Sequence, residues 1–193
     1  MIEFIEGVLT AKSPSDAVVQ VGGMGIRGAI SLTTYDDLPA TGQTIRLWTH
    51  LQLRDEELSL FAFSTQEERW LFQQLISVNG VGPKLAMVAL SAAKPDVIRR
   101  AVAEGDSDRL KSIPRIGSKI AERIVLELKK KFSTSIPDFG AKVTTAGGDS
   151  AEAISALCAL GFTRVEAEKA VDGAVKRGGK GVEELLRLAL RAG

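Results

Sequence analysis

The sequence predicts an α+β protein in three parts: a small five-stranded barrel, a helical domain, and a compact three-helix domain at the C-terminus. Residues 1–63 hold five short apolar and β-branched runs separated by turn residues, which is typical of a small sheet. A twelve-residue pattern then occurs twice, 35 positions apart, within a helical region at 64–132. Residues 133–149 are rich in Gly, Ser and Thr and have no period, so we expect a flexible linker before a helical domain at 150–193.

The composition is that of an ordinary soluble protein. Hydrophobic residues make up 45% of the 193 positions and charged residues 25%. Cys158 is the single cysteine, which excludes an internal disulfide framework and fits a reducing cytoplasm. The first six residues carry acids where a signal peptide needs bases, and no apolar run approaches membrane-spanning length. We therefore expect a cytoplasmic protein without a membrane segment.

The five N-terminal runs have the features of strands. Between Thr44 and Leu53, apolar side chains and Thr49 alternate with mostly polar ones, the pattern of a strand with one buried face. Five short strands favour a closed barrel of the OB type, a fold often used on nucleic acids, although a five-stranded sheet of another topology stays open. The predicted strands are Ile2–Leu9, Ala17–Val21, Ile26–Thr33, Thr44–Leu53 and Leu58–Phe63.

One glycine pattern in this region imitates a nucleotide site. Residues Gly23–Gly28 match the dinucleotide fingerprint GxGxxG, but that motif needs a strand before it and a helix after it. The stretch Ala29–Thr33 continues as a β-branched run, and Trp48 stands where an acidic residue is required. A glycine-rich hairpin is therefore the expected structure.

The turn between the last two predicted strands is acidic. Asp55, Glu56 and Glu57 follow Arg54 at a point that we expect to be exposed. Such a turn is usually no more than a polar connection. In a chain that binds DNA, however, carboxylates at this tip would repel phosphates and exclude an uninterrupted duplex.

From Ser64 the apolar period becomes helical. Ser64 or Thr65 can cap the first helix, and Trp70 lies on its apolar face. We expect Trp70 in the core rather than as a platform for base stacking. Further helices are predicted at Ala86–Ala93, Pro95–Ala103, Asp106–Ile113 and Ser118–Phe132.

The twelve-residue repeat is the most informative part of the chain. Leu75–Ala86 realigns with Leu110–Ala121, and the equivalent pairs include two glycines and two lysines. In each copy a helix ends, an apolar residue sits at the centre of a turn, and a glycine leads into a second helix. The repeat therefore predicts two units, each a helix, a hairpin and a helix.

The second helix of such a unit can bind an anion. Its first backbone N–H groups have no partner within the helix and lie at the positive end of the helix dipole. Gly82 and Gly117 let the anion approach the backbone, and Lys84 and Lys119 add a charge beside it. Because none of these groups reads a base edge, the predicted ligand is a nucleic-acid backbone bound without regard to sequence.

The repeated unit resembles the helix-hairpin-helix motif of non-specific DNA-binding proteins. Two copies imply a compact unit that holds one duplex at two phosphates, and a pair of ordinary glycine-capped connections is the alternative. The second copy departs from the motif, since Arg115 stands where Gly80 stands in the first. A positive φ would cost arginine about 1 kcal/mol, so either the hairpin is reshaped or Arg115 makes a phosphate contact of its own.

The charge of the chain is unevenly distributed. The formal net charge is only +1, but residues 1–63 have a net charge of −4, residues 64–148 of +5, and residues 149–193 of zero. A basic run is usually just a solvated helix face. Here it coincides with the repeated turns, which favours a role in binding phosphates.

The C-terminal residues predict three helices. The first, about Ser150–Leu160, ends at Gly161; Thr163 and Glu166 form a capping box for the second; further glycines precede Val182–Arg191. A neutral, tethered module of this kind suits binding to a protein, with a passive folding cap as the alternative. The expected core residues are Ile154, Leu157, Leu160, Phe162, Ala170, Val171, Leu185, Leu186 and Ala189.

Residues for the common catalytic and metal sites are missing from the sequence. A single His and a single Cys cannot supply a zinc site or a Cys/His or Ser/His/Asp nucleophile system. The glycine spacing of a Walker A motif occurs at Gly173–Gly178, but Gly179 follows where lysine is required. We therefore expect no catalytic residues, no cofactor and no metal.

The order of these parts resembles one family along essentially the whole chain. A barrel with an acidic tip, two helix-hairpin-helix motifs, a linker and a small helical domain are similar to the RuvA family of bacterial Holliday-junction recognition subunits. Leu75–Ala86 and Ala121–Ile124 carry most of the likeness.

This resemblance implies an assembly and a set of site residues. It implies a homotetramer or octamer that holds a four-way junction open during DNA recombination, repair and the SOS response. Asp55 and Glu56 match the family's acidic pin, residues 150–193 would recruit the separate RuvB ATPase, and the RuvC resolvase is a further partner. The residues expected to hold the duplex arms are Gly80, Val81, Gly82, Lys84, Arg115, Ile116, Gly117, Ser118, Lys119 and Arg123.

Two other functions stay open on the residues alone. A DNA glycosylase or lyase also uses this hairpin, but it would need a catalytic Asp or Lys in a base-sized pocket. An interaction adaptor would use its barrel to bind a protein. Trapping on abasic DNA with borohydride tests the first, and a gel shift comparing junction with linear DNA tests the second.

Overall fold

A computed structural model of the chain describes residues 2–54, 56–134 and 148–191. The chain divides into two compact units, Met1–Phe139 and Gly140–Gly193. Most of the predicted linker, residues 135–147, lies outside the described residues. No helix in the described ranges is long and apolar enough to cross a bilayer.

The first unit begins with a closed five-stranded barrel, which confirms the predicted fold. Its strands neighbour one another in the order β1-β2-β3-β5-β4, and β4 pairs with β1 to close the circle. Four of the pairings are antiparallel, and the short pairing of β3 with β5 is parallel. The strands are β1 (Phe4–Lys12), β2 (Asp16–Val21), β3 (Met24–Ala29), β4 (Thr44–Arg54) and β5 (Glu57–Phe63).

The glycine-rich stretch forms the predicted hairpin, with Val21 opposite Met24 across β2 and β3. The prediction that the following strand extends to Thr33 is wrong. Strand β3 ends at Ala29, and a short helix, α1 (Leu32–Asp37), follows. Ser31 caps this helix by accepting a hydrogen bond from the Thr34 N–H at 3.0 Å, a local bond that overrides the β preference of the threonines.

The alternation predicted for β4 holds only along its first half. Ile45, Leu47 and Thr49 are buried in the barrel as expected. Leu53, on the same face, is 70% exposed, and its cross-strand neighbour Leu58 is 65% exposed. The outer ends of β4 and β5 therefore carry apolar side chains that the described chain does not cover.

Five helices follow the barrel within the first unit. They share one apolar core with the last barrel strand, since the rings of Phe61 and Phe63 lie 4.9 and 5.1 Å from the ring of Phe72. Trp70 packs on Phe132 with a ring separation of 5.1 Å, which confirms its predicted place against the core. The helices are α2 (Gln66–Ile76), α3 (Pro83–Ala92), α4 (Pro95–Glu104), α5 (Ser107–Lys111) and α6 (Ser118–Thr134).

A buried carboxylate joins helix α1 to helix α2. Glu68 is fully buried and accepts hydrogen bonds from Ser31 Oγ and from Thr34 Oγ1, the latter at 2.6 Å. Burial raises the pKa of the Glu68 carboxyl, the two hydroxyl donors oppose that shift, and the Asp37 carboxylate adds to it. The Glu68 carboxyl is thus hydrogen-bonded by α1 and by the residue that caps it.

The residues between Ser31 and Thr34 reach helix α3 as well. The Leu32 N–H donates to Ser91 Oγ at 3.1 Å, and Thr33 Oγ1 donates to the Leu90 carbonyl at 2.7 Å. Four consecutive residues, from Ser31 to Thr34, therefore make polar contacts with both helices of the first hairpin motif. These contacts fix the first hairpin relative to the barrel.

The second unit is a three-helix domain, and its capping box is confirmed. Thr163 accepts a hydrogen bond from the Glu166 N–H at 3.3 Å, and Glu166 accepts one from the Thr163 N–H at 2.8 Å. Leu160 was predicted in the core, but it is 64% exposed because the helix ends there and Gly161 turns the chain with φ of 100°. The helices are α7 (Asp149–Ala159), α8 (Arg164–Lys176) and α9 (Val182–Leu190).

Substituting Glu68 with Gln should change how stability depends on pH. Because folding raises the pKa of Glu68, the ionised carboxylate opposes folding. The contribution of Glu68 to the free energy of unfolding is therefore most favourable below the ordinary carboxyl pKa of 4.5. The contribution is lost as the pH rises through the raised folded pKa. We expect the free energy of unfolding of E68Q to fall less than that of the wild type as the pH is raised from 4.5 to 8.

Tryptophan fluorescence during urea unfolding can measure this, since Trp48 and Trp70 both lie in the first unit. Exposed Glu104, at the end of α4, supplies a control that removes the same formal charge from the surface. Parallel pH profiles for E68Q and the wild type would contradict the assignment.

Candidate nucleic-acid interface

The two copies of the repeat fold into hairpins with matching hydrogen bonds. In the first, the Val81 N–H donates to the Val78 carbonyl at 3.0 Å; in the second, the Ile116 N–H donates to the Ile113 carbonyl at 3.1 Å. These four apolar side chains are all buried, at 2–5% exposure. The hairpins are therefore anchored in the core from beneath, and Val81 and Ile116, both predicted at the DNA interface, can present only backbone to a ligand.

Equivalent serines complete the match between the two hairpins. Ser77 Oγ donates to the Gln74 carbonyl at 2.7 Å, and Ser112 Oγ donates to the Arg109 carbonyl at the same distance. Each bond satisfies a carbonyl in the last turn of the helix before the hairpin. These serines were not among the predicted site residues, although both occupy the same place in the repeat.

Both second helices begin at the surface. Gly82 and Lys84 are exposed at the start of α3, where no side chain caps the helix and the first backbone bond runs from the Ala86 N–H to the Gly82 carbonyl at 3.0 Å. The backbone N–H groups of Lys84 and Leu85 precede that bond. They are available to an incoming anion.

The start of α6 repeats this arrangement. Gly117, Ser118 and Lys119 are all exposed, and the first backbone bonds run from Ile120 and Ala121 to the Gly117 carbonyl at 3.1 and 3.0 Å. The structure thus places a lysine beside an exposed helix start in each copy, as the repeat predicts.

The described chain does not itself require glycine at either helix start. Gly82 has φ of −85°, which any residue adopts, and Gly117 is likewise outside the left-handed region. A Cβ atom added at either position would meet no atom within 4 Å. Neither backbone strain nor crowding within the described residues explains these two glycines, so close approach of a ligand is the physical reason that fits.

The second hairpin keeps its shape despite the arginine. Arg115 has φ of 67°, close to the 89° of Gly80 at the equivalent position of the first hairpin. The alternative of a reshaped hairpin is therefore wrong. Arg115 is exposed and makes no hydrogen bond or ion pair with any described residue, so its side chain stays available for a ligand.

Arg123 links the two motifs. Its Nη1 donates to the carbonyl of Asn79, in the first hairpin, at 3.1 Å, and Lys131 Nζ donates to Ser77 Oγ at 2.8 Å. Both donors lie on α6, whose first residues are part of the predicted binding surface of the second motif. Arg123 was predicted to hold phosphate, and in the structure it also joins α6 to the first hairpin.

The acidic tip connects the outer ends of β4 and β5. Asp55 lies outside the described residues. Glu56 is exposed and has φ of 67°, which suits a two-residue hairpin turn but is strained for glutamate. Glu56 and Arg115 are the two non-glycine residues with positive φ in the described ranges, and both are charged residues of the predicted site.

A groove of about 890 Å³ brings parts of the site together. It runs between the barrel and α3, and its lining includes Lys84 from the first motif and Arg115 from the second. Apolar side chains such as Leu60 and Met87 form much of the rest. The structure therefore places cations of both motifs beside one surface channel. No cluster of His, Cys, Asp and Glu suited to a metal ion occurs among the described residues.

Comparison with known proteins decides the family. The model of the RuvA N-terminal domain matches residues 1–62, that of the SAM-like helix-hairpin-helix tandem matches 72–130, and that of the RuvA C-terminal domain matches 148–192. The chain belongs to the RuvA family. The predicted family and the predicted architecture are thus confirmed, and the RuvA models between them cover both the barrel and the three-helix domain.

Individual relatives match the chain over nearly its whole length. Proteins from Methylococcus capsulatus, Neisseria gonorrhoeae and Roseiflexus sp. are 40%, 42% and 43% identical to it. Each match covers at least 99% of this chain and 98% of the relative. All three relatives are named Holliday junction branch migration complex subunit RuvA.

Replacing Arg115 with Gly should stabilise the protein. Glycine adopts the positive φ without strain, and after allowing for its greater freedom in the unfolded chain we expect a gain of roughly 0.5–1 kcal/mol. Arg115→Ala removes the same side chain but keeps the Cβ atom, so it should bring no such gain. Urea unfolding followed by tryptophan fluorescence distinguishes the two, and equal stabilities for the Gly and Ala variants would contradict the strain.

Proposed function

We propose that this chain is a non-catalytic DNA-binding subunit that recognises four-way junctions, holds them open, and recruits a separate ATPase for branch migration. The observation that carries the proposal is the pair of exposed helix starts, each with unpaired backbone N–H groups, an adjacent lysine and a glycine that the fold does not require. Such groups bind phosphate, and they occur at the starts of two helices that share one apolar core.

In this proposal the two hairpins hold the phosphate backbone of a duplex arm. The N–H groups that begin α3 donate hydrogen bonds to one phosphate and those that begin α6 to another, with Lys84 and Lys119 beside them and Ser118 able to donate a further hydrogen bond. Arg115 adds a cation next to the second hairpin. Gly80 gives the first hairpin its turn, while Val81 and Ile116 hold the hairpins from below. None of these contacts depends on base sequence.

Asp55 and Glu56 serve in this proposal as an acidic pin at the crossover. Carboxylates repel phosphates, so binding of an uninterrupted duplex across the tip is disfavoured. The centre of an opened junction, in contrast, leaves room for the acidic tip. The strained backbone of Glu56 supports a functional reason for a charged residue there, since glycine would avoid the strain.

The assembly proposed is a homotetramer, or two tetramers face to face, in the cytoplasm. A fourfold arrangement would gather the acidic tips at the centre and spread the basic hairpins outward, in keeping with the separation of charge along the chain. The C-terminal domain recruits RuvB in this proposal, and its exposed Leu160, Val165, Val175 and Leu190 offer apolar contacts for a partner. RuvC is a further candidate partner.

Competition binding tests the proposed function directly. A labelled four-way junction is bound to the full chain and displaced by unlabelled junction or by linear duplex of the same sequence and length. We expect the junction to compete at a far lower concentration than the duplex. Equal competition by the two DNAs, or a covalent adduct with abasic DNA after borohydride treatment, would contradict a non-catalytic junction-binding role.

The glycines at the helix starts provide a variant that blocks the ligand and spares the fold. Serine is a favoured N-cap residue and has open space at both positions, so Gly82→Ser with Gly117→Ser should leave stability within about 1 kcal/mol of the wild type. Junction affinity should fall at least about tenfold, since each lost charge-assisted hydrogen bond is worth about 1.5–3 kcal/mol.

Gly23→Ser is the matched control, because Gly23 also has open space and an ordinary φ but lies in the β2–β3 hairpin. It should bind like the wild type. Unchanged affinity in the Gly82 and Gly117 double variant would show that phosphates do not approach these amides.

Variants of Lys84 and Lys119 test the effect of the lysine charges separately from the access of phosphate to the backbone amides. Lys84→Ala with Lys119→Ala leaves the amides open but removes two cations, so the slope of log affinity against log salt should decrease by about 0.9 for each lost contact. Titrations at four salt concentrations measure this slope. A slope identical to that of the wild type would remove the two lysines from the interface.

A further inference from the structure

The ribbon formed by the outer ends of β4 and β5 has one apolar face. Leu51 pairs with Leu60 and Leu53 with Leu58 across the two strands, and alternate pairs along a ribbon point to the same side. We call these four residues the leucine strip. Its inner pair, Leu51 and Leu60, is half-buried, while Leu53 and Leu58 are 70% and 65% exposed.

The opposite face of the same ribbon is polar. There Gln52 pairs with Ser59 and Arg54 with Glu57. The ribbon is therefore amphipathic, and its apolar side is uncovered where it projects furthest. Exposed apolar residues that lie together on one face of an element indicate a contact surface more strongly than scattered ones do.

The leucine strip adjoins the proposed DNA surface at one end and the acidic tip at the other. Leu60 lines the same groove as Lys84 and Arg115, so the inner end of the strip lies beside cations from both hairpin motifs. At its outer end, the four residues between Leu53 and Leu58 in the sequence carry one positive and three negative charges. A duplex arm held by the cations would extend along this strip, but its phosphates would be repelled from the outer part.

We propose that the leucine strip covers the exposed faces of the innermost base pairs of an opened four-way junction. This inference rests on the proposed function. Opening a junction leaves the last base pair of each arm without a neighbour to stack on, and those flat faces are the uncharged, apolar surfaces that such a DNA offers. Apolar side chains contact unstacked base steps in other proteins that deform DNA. A linear duplex has no such face, so the strip adds to junction selectivity.

The test uses the full chain with Leu53→Thr and Leu58→Thr together. Threonine keeps the preference for strand structure but removes most of the apolar surface. The probes are a four-way junction with 2-aminopurine in the innermost base pair of one arm, and a linear duplex of matching sequence. The matched control is Met24→Thr, which changes a 66% exposed apolar residue at the β2–β3 hairpin.

We expect the wild type and Met24→Thr to change the 2-aminopurine fluorescence on binding, and the double variant to lose most of that change. Junction affinity of the double variant should fall about tenfold, which allows each leucine roughly half the effect of a fully buried side chain. Its affinity for linear duplex and its salt slope should match those of the wild type, because the phosphate contacts are untouched.

Three results would overturn the inference. If the double variant has the junction affinity and the fluorescence change of the wild type, the leucine strip does not contact DNA, and the proposed function is unaffected. Loss of self-association by the double variant without DNA, seen by sedimentation, would show that a second copy of the chain covers the strip. If the wild type itself failed to prefer the junction over the duplex, the proposed function and the inference would both fall.

Discussion

Two sets of backbone N–H groups without intrahelical partners are the constraint on which this structure depends. Every helix begins with such groups, which are satisfied by capping side chains, water or ligands. In this chain α3 has no side-chain cap, and the N–H groups that begin α3 and α6 face the surface behind a glycine. Contacts within the rest of the first unit position these groups. Four buried apolar residues anchor the hairpins, and Arg123 joins α6 to the first hairpin.

Two charged residues of the first unit have a strained backbone conformation. Glu56 and Arg115 both have φ of 67°, where glycine would be cheaper, and they stand at the acidic tip and at the second hairpin. An anion-repelling group and an anion-attracting group are thus each retained in spite of a local cost. The polar contacts that Ser31, Leu32, Thr33 and Thr34 make with α2 and α3 fix the barrel, and hence its tip, relative to the first hairpin.

Most of the correct predictions came from local patterns in the sequence. The strands, the capping box and the repeated hairpin follow from residue types a few positions apart, and the structure has all of them. Helix α1 was missed because the β-branched run Ile30–Thr34 looks like a strand, whereas Ser31 caps a helix there and the Thr33 and Thr34 hydroxyls bond to Leu90 and Glu68, more than thirty residues away. The exposure of Leu53 was missed because alternation shows which face is apolar, not whether anything covers it. The bond from Arg123 to Asn79, between positions 44 apart, has no sequence signal either.

The most direct measurement is a scan of four-way junctions in which one backbone phosphate at a time is replaced by an uncharged methylphosphonate, with junctions of unrelated base sequence in parallel. Recognition by unpaired amides predicts that a few neutralised phosphates on each arm weaken binding strongly, and that a change of base sequence leaves affinity unchanged. Affinity that followed the base sequence and ignored every neutralised phosphate would contradict the account.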